Sequence, residues 1–133
     1  MKRFEELEHT ADWAFRAYGR DRIELYENAA YALFALEGAP DSQGGVTRTV
    51  TVHGVDYEAL LVNWLSELLY LQETEHETYS HFKVENLTPT ELAARIQGAP
   101  SGPLNKFIKA ITYHELKIEQ TPEGWQATVV VDV

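Results

Sequence analysis

The chain contains no cysteine, which removes disulfides, thiolate metal sites and a thiol nucleophile from consideration together. It also lacks any apolar run long enough to cross a bilayer, and its opening stretch Met1-Lys2-Arg3-Phe4-Glu5-Glu6 has no apolar centre of the kind a secretory leader carries. A soluble, cytoplasmic protein with no membrane partner is the expectation. Basic residues are scarce: 11 lysines and arginines stand against 21 aspartates and glutamates, for a net charge of −10. That field repels phosphate backbones, so a surface that grips nucleic acid broadly is disfavoured and RNA is expected to be reached only indirectly. The loop Gly98-Ala99-Pro100-Ser101-Gly102-Pro103 is not followed by Gly-Lys-Ser/Thr, so no phosphate-cradling loop is encoded. No internal repeat or second domain boundary is visible, and 133 residues suffice for one core, so the chain reads as a single domain over 1–133.

What is present alternates between two periods. Arg3 to Glu8 suggests a short strand, and Trp13, Phe15 and Ala17 alternate with Ala14, Arg16 and Tyr18 in a second strand that Gly19 ends. Asp21-Arg22-Ile23-Glu24 has the form of a capping box, after which Ile23, Tyr26, Ala29, Ala30, Leu33 and Phe34 recur at helical spacing up to Gly38. Val46 to His53 predicts a strand with one wet face. Asp56 then offers a cap to the widest apolar stripe in the chain, Tyr57, Leu60, Leu61, Trp64, Leu65, Leu68 and Leu71, ending near Glu73. Its bulk is expected to cover the sheet that holds the last strand. Glu73-Thr74-Glu75-His76-Glu77 has metal-like composition but no periodicity and reads as a solvated turn. Phe82 and Val84, then Leu92, Ala94 and Ile96, suggest a strand pair, and Gly98 to Pro103 a structureless loop. The expected class is α+β, a two-layer domain with one mixed sheet against two main helices.

Two features carry possible chemistry. Trp125 to Val133 contains three consecutive valines after a turn signal, a strand for the middle of a sheet. It brings the Asp132 side chain and the Val133 carboxylate one residue apart at its end. Unpaired carboxylates at the rim of a buried element would shift in pKa or attract a hard cation, the alternative being ordinary solvation of a chain end. Lys106 and Lys109 form the one local basic feature with polar neighbours, projecting from one helical turn or flanking a strand bulge. They are suited to a phosphate or an acidic partner, with simple solvation as the alternative.

His9-Thr10-Ala11-Asp12 before a strand ending in Gly19, Lys109-Ala110-Ile111-Thr112-Tyr113-His114, and an aspartate one residue from the end resemble the archease family. With the Leu60-Leu61-Val62-Asn63-Trp64-Leu65 helix, the likeness runs over nearly the whole chain. It implies an α+β domain that activates an RtcB-type RNA ligase of tRNA splicing and RNA repair by promoting its GTP-dependent guanylylation and repeated turnover. It also implies a divalent cation, calcium, with manganese or magnesium as alternatives, held by Asp12, Asp132 and Val133, and a functional role for Lys109. Lys106 lies in a more variable stretch. Three such carboxylates would offer only hard oxygens, at about 2.3–2.6 Å for calcium, which disfavours structural zinc. His9 is near enough in sequence to support a ligand from behind, with a hydrogen-bonded structural role as the alternative. The chain is therefore expected to be a non-catalytic activator. Its competitors are a stand-alone metal-dependent phosphoesterase using His9 or His114 as acid/base, and a chaperone or adaptor module.

Overall fold

A computed structural model describes residues 2–7, 13–41 and 45–133 of the chain, in two helices and seven strands. In order these are β1 (Phe4–Leu7), β2 (Trp13–Gly19), α1 (Arg22–Leu36), β3 (Val46–His53), α2 (Tyr57–Glu75), β4 (Glu77–Leu87), β5 (Glu91–Pro100), β6 (Ala110–Thr121) and β7 (Gly124–Asp132).

Local chemistry accounts for both helices. The Asp21 carboxylate accepts from the Glu24 amide at 2.8 Å and opens α1, while Glu24 reaches back to the Arg20 amide at 3.0 Å. At the far end Gly38 takes φ +83°, the Gly38 amide donates to Ala35 O and the Ala39 amide to Phe34 O. These are the paired bonds of a left-handed helix stop. Asp56 caps α2 by accepting from the Ala59 amide at 2.8 Å. This helix runs past the expected end: it continues to Glu75, and His76 closes it in the left-handed conformation at φ 56°. The acidic piece is solvated as expected from Glu73 to His76, but it is the last turn of a helix and the entry to a strand in place of a free turn. Glu77 begins β4, where Arg48 Nε donates to it at 2.7 Å and the Tyr79 hydroxyl donates to it at 2.7 Å.

The α+β class and the two main helices are as the sequence suggests, but the single mixed sheet is replaced by two antiparallel ones, ordered β1-β2-β7-β6 and β3-β5-β4. The reason lies in strand insertion. Strands separated by a helix, β3 and β4, do run parallel, which is what alternating helices and strands lead one to expect. β5 then threads between them antiparallel to both, as β7 does between β2 and β6. The loop expected from Gly98 is also corrected, because β5 continues to Pro100. Gly98 is required there: a Cβ would fall 1.9 Å from Thr78 O on β4.

The terminal strand β7 is interior to its sheet, with Ala127, Val129 and Val131 in the main core and Val130 buried on the opposite face against the β2 side through its partner Ala14. α1 packs on β2, β1 and β7 and also on β4, whereas α2 packs on β6 and on all three strands of the smaller sheet. α2 thus reaches the sheet that holds the last strand, as expected, but only through β6, and α1 covers β7 itself. The helices are tied to each other by buried polar bonds, Trp64 Nε1 to Tyr26 O at 3.0 Å and the Tyr26 hydroxyl to Tyr57 O at 2.5 Å. Among the described residues no helix is long and apolar enough to cross a membrane.

Candidate functional site

The end of β7 and the start of β2 lie side by side. Trp13 pairs with Val131 in the antiparallel register, and on the other flank Ala110 pairs with Asp132. The Lys109 amide donates to Asp132 O at 2.7 Å, so the lysine's Cα is fixed one residue outside the sheet, next to the last carboxylates. Lys106 reaches the same corner differently: its ammonium lies 3.9 Å from the centroid of the Trp13 ring, whose indole N–H donates to Glu6 at 2.6 Å. The structure thus gathers Asp132, Val133, Lys109 and Lys106 at one end of the strands of the larger sheet. Neither arrangement foreseen for the lysines occurs, since they occupy irregular backbone before β6, and the bulge in β6 falls later, between Thr112 and Lys117. Asp12 and His9 lie outside the described residues.

A buried glutamate holds this irregular segment in place. Glu37 is fully buried at the end of α1, and its Oε2 accepts from the Ile108 amide at 2.8 Å while its Oε1 accepts from Gln72 Nε2 at 2.7 Å. Its backbone carbonyl accepts from the Asn105 amide at 2.8 Å. Segment 101–109 has no ladder of its own, so these bonds satisfy amides that would otherwise be buried unpaired. Ile108 is buried as an apolar anchor. Successive amides, Ile108 to Glu37 and Lys109 to Asp132, therefore pin the backbone from both ends of the larger sheet's flank and leave the Lys109 side chain exposed. Burial pushes the Glu37 carboxyl above the ordinary range, partly offset by the bonds from Ile108 and Gln72.

Asp132 and Val133 are both exposed. Desolvation therefore does not compel these groups to seek a cation; what remains is their adjacency at the end of β7. Among the described residues no hydrogen bond or ion pair engages the Asp132 carboxylate, and no group of three His, Asp or Glu residues is gathered to hold a metal. Asp132 and the Val133 carboxylate are hard oxygen donors on adjacent residues, which suits part of a ligand set for a cation such as calcium and needs at least one further donor.

Sequence reasoning missed the surroundings of Lys109. A groove of about 300 Å³ between α2 and β6 is lined by Tyr70, Glu73, Phe107 and Lys109, and Tyr70 and Phe107 are exposed large side chains beside it. Tyr70 falls off the apolar stripe of α2, and that displacement was the available signal. Glu37 carried none, because a glutamate before a helix-ending glycine looks solvated. His114 and Tyr113 sit exposed in the β6 bulge, where His114 bonds only locally, its amide to Thr112 Oγ1 at 3.2 Å.

Two interleaved antiparallel sheets around a helix pair, with a lysine and the last carboxylates brought to one end of the larger sheet's strands, define a small α+β domain with a compact polar corner. Solved structures share this fold over nearly the whole chain. The solution structure of protein 1598 from Methanobacterium thermoautotrophicum matches with a TM-score of 0.79 at 29% identity over 100% of both chains. A crystal structure of an archease from Thermotoga maritima, described as a possible chaperone, matches with a TM-score of 0.69 at 25% identity over 97% of this chain and 96% of that one. The family model of the Archease protein family (MTH1598/TM1083) matches residues 4–133. Protein archease of Methanosarcina acetivorans is 42% identical over 99% of this chain and 97% of its own length, and that of Pyrococcus abyssi is 38% identical over the whole of both. The chain belongs to the archease family.

Proposed function

We propose that this protein is a non-catalytic activator of an RtcB-type RNA ligase, promoting the ligase's GTP-dependent guanylylation and multiple turnover through the corner at the end of β7. The observation that carries the proposal is the Lys109 amide bonded to the Asp132 backbone carbonyl, which fixes the backbone of an exposed lysine alongside the last residues of β7. Asp132 and Val133 would hold a divalent cation, calcium in the first instance, together with Asp12, one residue before Trp13 in the chain. When bound, such an ion supplies charge neutralisation for a triphosphate. Lys109 presents its ammonium to a phosphate or acidic group of the ligase, and Lys106, resting on the face of Trp13 at the start of β2, adds a second cation near the same corner. Exposed Phe107 and Tyr70 border Lys109 and give the partner an apolar hold next to the charged corner. RNA is reached through the ligase, in keeping with a net charge of −10.

The test is a reconstitution with an RtcB-type ligase at substoichiometric concentration, GTP and a nicked RNA. Addition of this protein should convert single into repeated turnover. Lys109→Ala and Asp132→Asn should each reduce that stimulation about tenfold or more, as expected for loss of a charged contact, with unchanged unfolding midpoints because both positions are exposed. Full stimulation by both variants would refute the proposal. A second reading, a chaperone-like adaptor, draws on the exposed aromatic residues around the groove and on the description of the Thermotoga maritima relative. Suppression of aggregation of unrelated proteins, independent of divalent metal and lost in Phe107→Ser, would favour it.

A further inference from the structure

A second polar site lies away from this corner, where the edge strand β4 meets α1. A cleft of about 390 Å³ is lined by Arg3, His81, Lys83 and Arg95, with Tyr31 and Phe82 as its aromatic walls. Four cationic or imidazole side chains from three parts of the chain surround one cavity in a protein whose net charge is −10. None of them is adjacent in sequence to another, which is why no local basic run announces the site.

Three observations show that the charges in the cleft are poorly compensated by the protein. Lys83 and Arg95 are direct cross-strand partners in the β4–β5 register, an apposition of like charges that destabilises a sheet unless an anion lies between them. Among the described residues Lys83 has no ion pair, and Arg95 has only Glu85 at 3.9 Å, with both side chains about half exposed. Arg3 has its guanidinium stacked 4.1 Å from the Tyr31 ring centroid, a contact that orients it without neutralising it. Among the described residues Glu27 is the single acid in the lining: its Oε2 accepts from the Val84 amide at 2.9 Å, and burial holds its carboxyl above the ordinary range although Lys83 nearby and that amide pull it back, so one carboxyl group faces the three cations Arg3, Lys83 and Arg95.

We infer that this cleft binds a compact phosphorylated ligand, with Lys83, Arg95 and Arg3 on its phosphoryl oxygens and Tyr31 and Phe82 beside its remainder. Its volume falls in the range of small-ligand sites, which span about 300–1,000 Å³. A nucleic-acid strand fits less well. The cations form a cluster and not a track, Glu85 follows two residues along β4 and Glu91 opens β5, and a long polyanion leaving the cleft would meet the acidic surface. A compact anion stays within about one Debye length, about 10 Å at 0.1 M salt, of the local positive group.

Calorimetric titration with tripolyphosphate at low salt tests this, on the full chain and on Lys83→Gln/Arg95→Gln. Both positions are exposed, so the double variant should fold. Wild-type protein should bind and gain thermal stability on binding. The double variant should bind about tenfold more weakly or worse, with loss of two charge-assisted contacts, and Lys117→Gln, an exposed lysine of β6 outside the cleft, should bind as the wild type does. Unaltered affinity in the double variant, or no binding by the wild type, would overturn the assignment. Tighter binding of a single-stranded RNA decamer than of tripolyphosphate, abolished by the same substitutions, would replace the compact ligand by a phosphodiester strand and overturn it equally.

Discussion

Glu37 offers the sharpest test of how the corner is built. Replacing it with alanine leaves the buried Ile108 amide and the buried Gln72 side-chain amide without their acceptors. Each unsatisfied donor costs about 1–3 kcal/mol, so Glu37→Ala should lose about 2–6 kcal/mol of stability, a large share of a domain's total. Glu37→Gln should behave differently. The glutamine oxygen can keep the Ile108 bond, and Gln72 can turn its amide over to accept from the new NH₂ group. Gln72 Oε1 is at present buried without a partner among the described residues, so turning it costs no existing bond. The substitution also removes a group whose carboxyl is raised by burial. Because the folded pKa lies above the unfolded value, the fold takes up a proton in the interval between them. Wild-type stability therefore declines as pH rises from the ordinary glutamate range, about 4.3, through the raised folded value. Glu37→Gln lacks this decline, so its stability relative to wild type should grow with pH across that interval. Urea unfolding of the three proteins over a pH series reads this directly, and amide exchange at Asn105 and Ile108 reports whether the segment is released in Glu37→Ala. Equal destabilisation by alanine and glutamine, or an alanine variant within about 0.5 kcal/mol of wild type, the range of an uninvolved surface site, would refute the reasoning.

Two further outcomes follow from the same geometry. The Arg48 guanidinium, aided by the Tyr79 hydroxyl, holds the Glu77 carboxyl below its ordinary range, so its contribution is present above the unfolded pKa and is lost as pH falls through the lowered folded value. Glu77→Gln should accordingly flatten the acid limb of the stability profile while leaving its slope above neutrality unchanged, as measured by thermal unfolding between acid and neutral pH. Gly98→Ala sets a methyl 1.9 Å from Thr78 O in the β4–β5 pair and should cost about 2 kcal/mol or more in urea unfolding; a variant as stable as wild type would mean the strands can part there freely.

Much of the fold was legible because its signals are local. Asp21 and Asp56 are caps by their position before apolar stripes, Gly38 stops α1 because a left-handed residue is needed there, and the bounds of β2 and β3 follow from alternation ended by Gly19 and Gly54. The misreadings have nonlocal causes. Gly98 and Pro100 look like loop residues, yet Gly98 is demanded by the backbone of another strand, and the acidic run ending at Glu77 looks solvated until Arg48, far upstream, is seen to engage it. Arg48 sits on the same face of β3 as Val46, Val50 and Val52, where a charge is tolerated only because Glu75 and Glu77 close around it.

At the corner the division is similar. Asp132, Val133 and Lys109 are identifiable from residue type and order in the chain, since oxygen donors and a lysine in a recurring pattern are properties of sequence. Their meeting is not. It depends on β7 inserting between β2 and β6, and on Glu37 of α1 bonding the amide just before Lys109. The cationic cleft of Arg3, Lys83 and Arg95 is wholly a product of tertiary structure. Period and capping act over a few residues and survive in the order of letters, whereas strand insertion and buried acceptors join residues far apart, so only the folded chain decides which of them share a site.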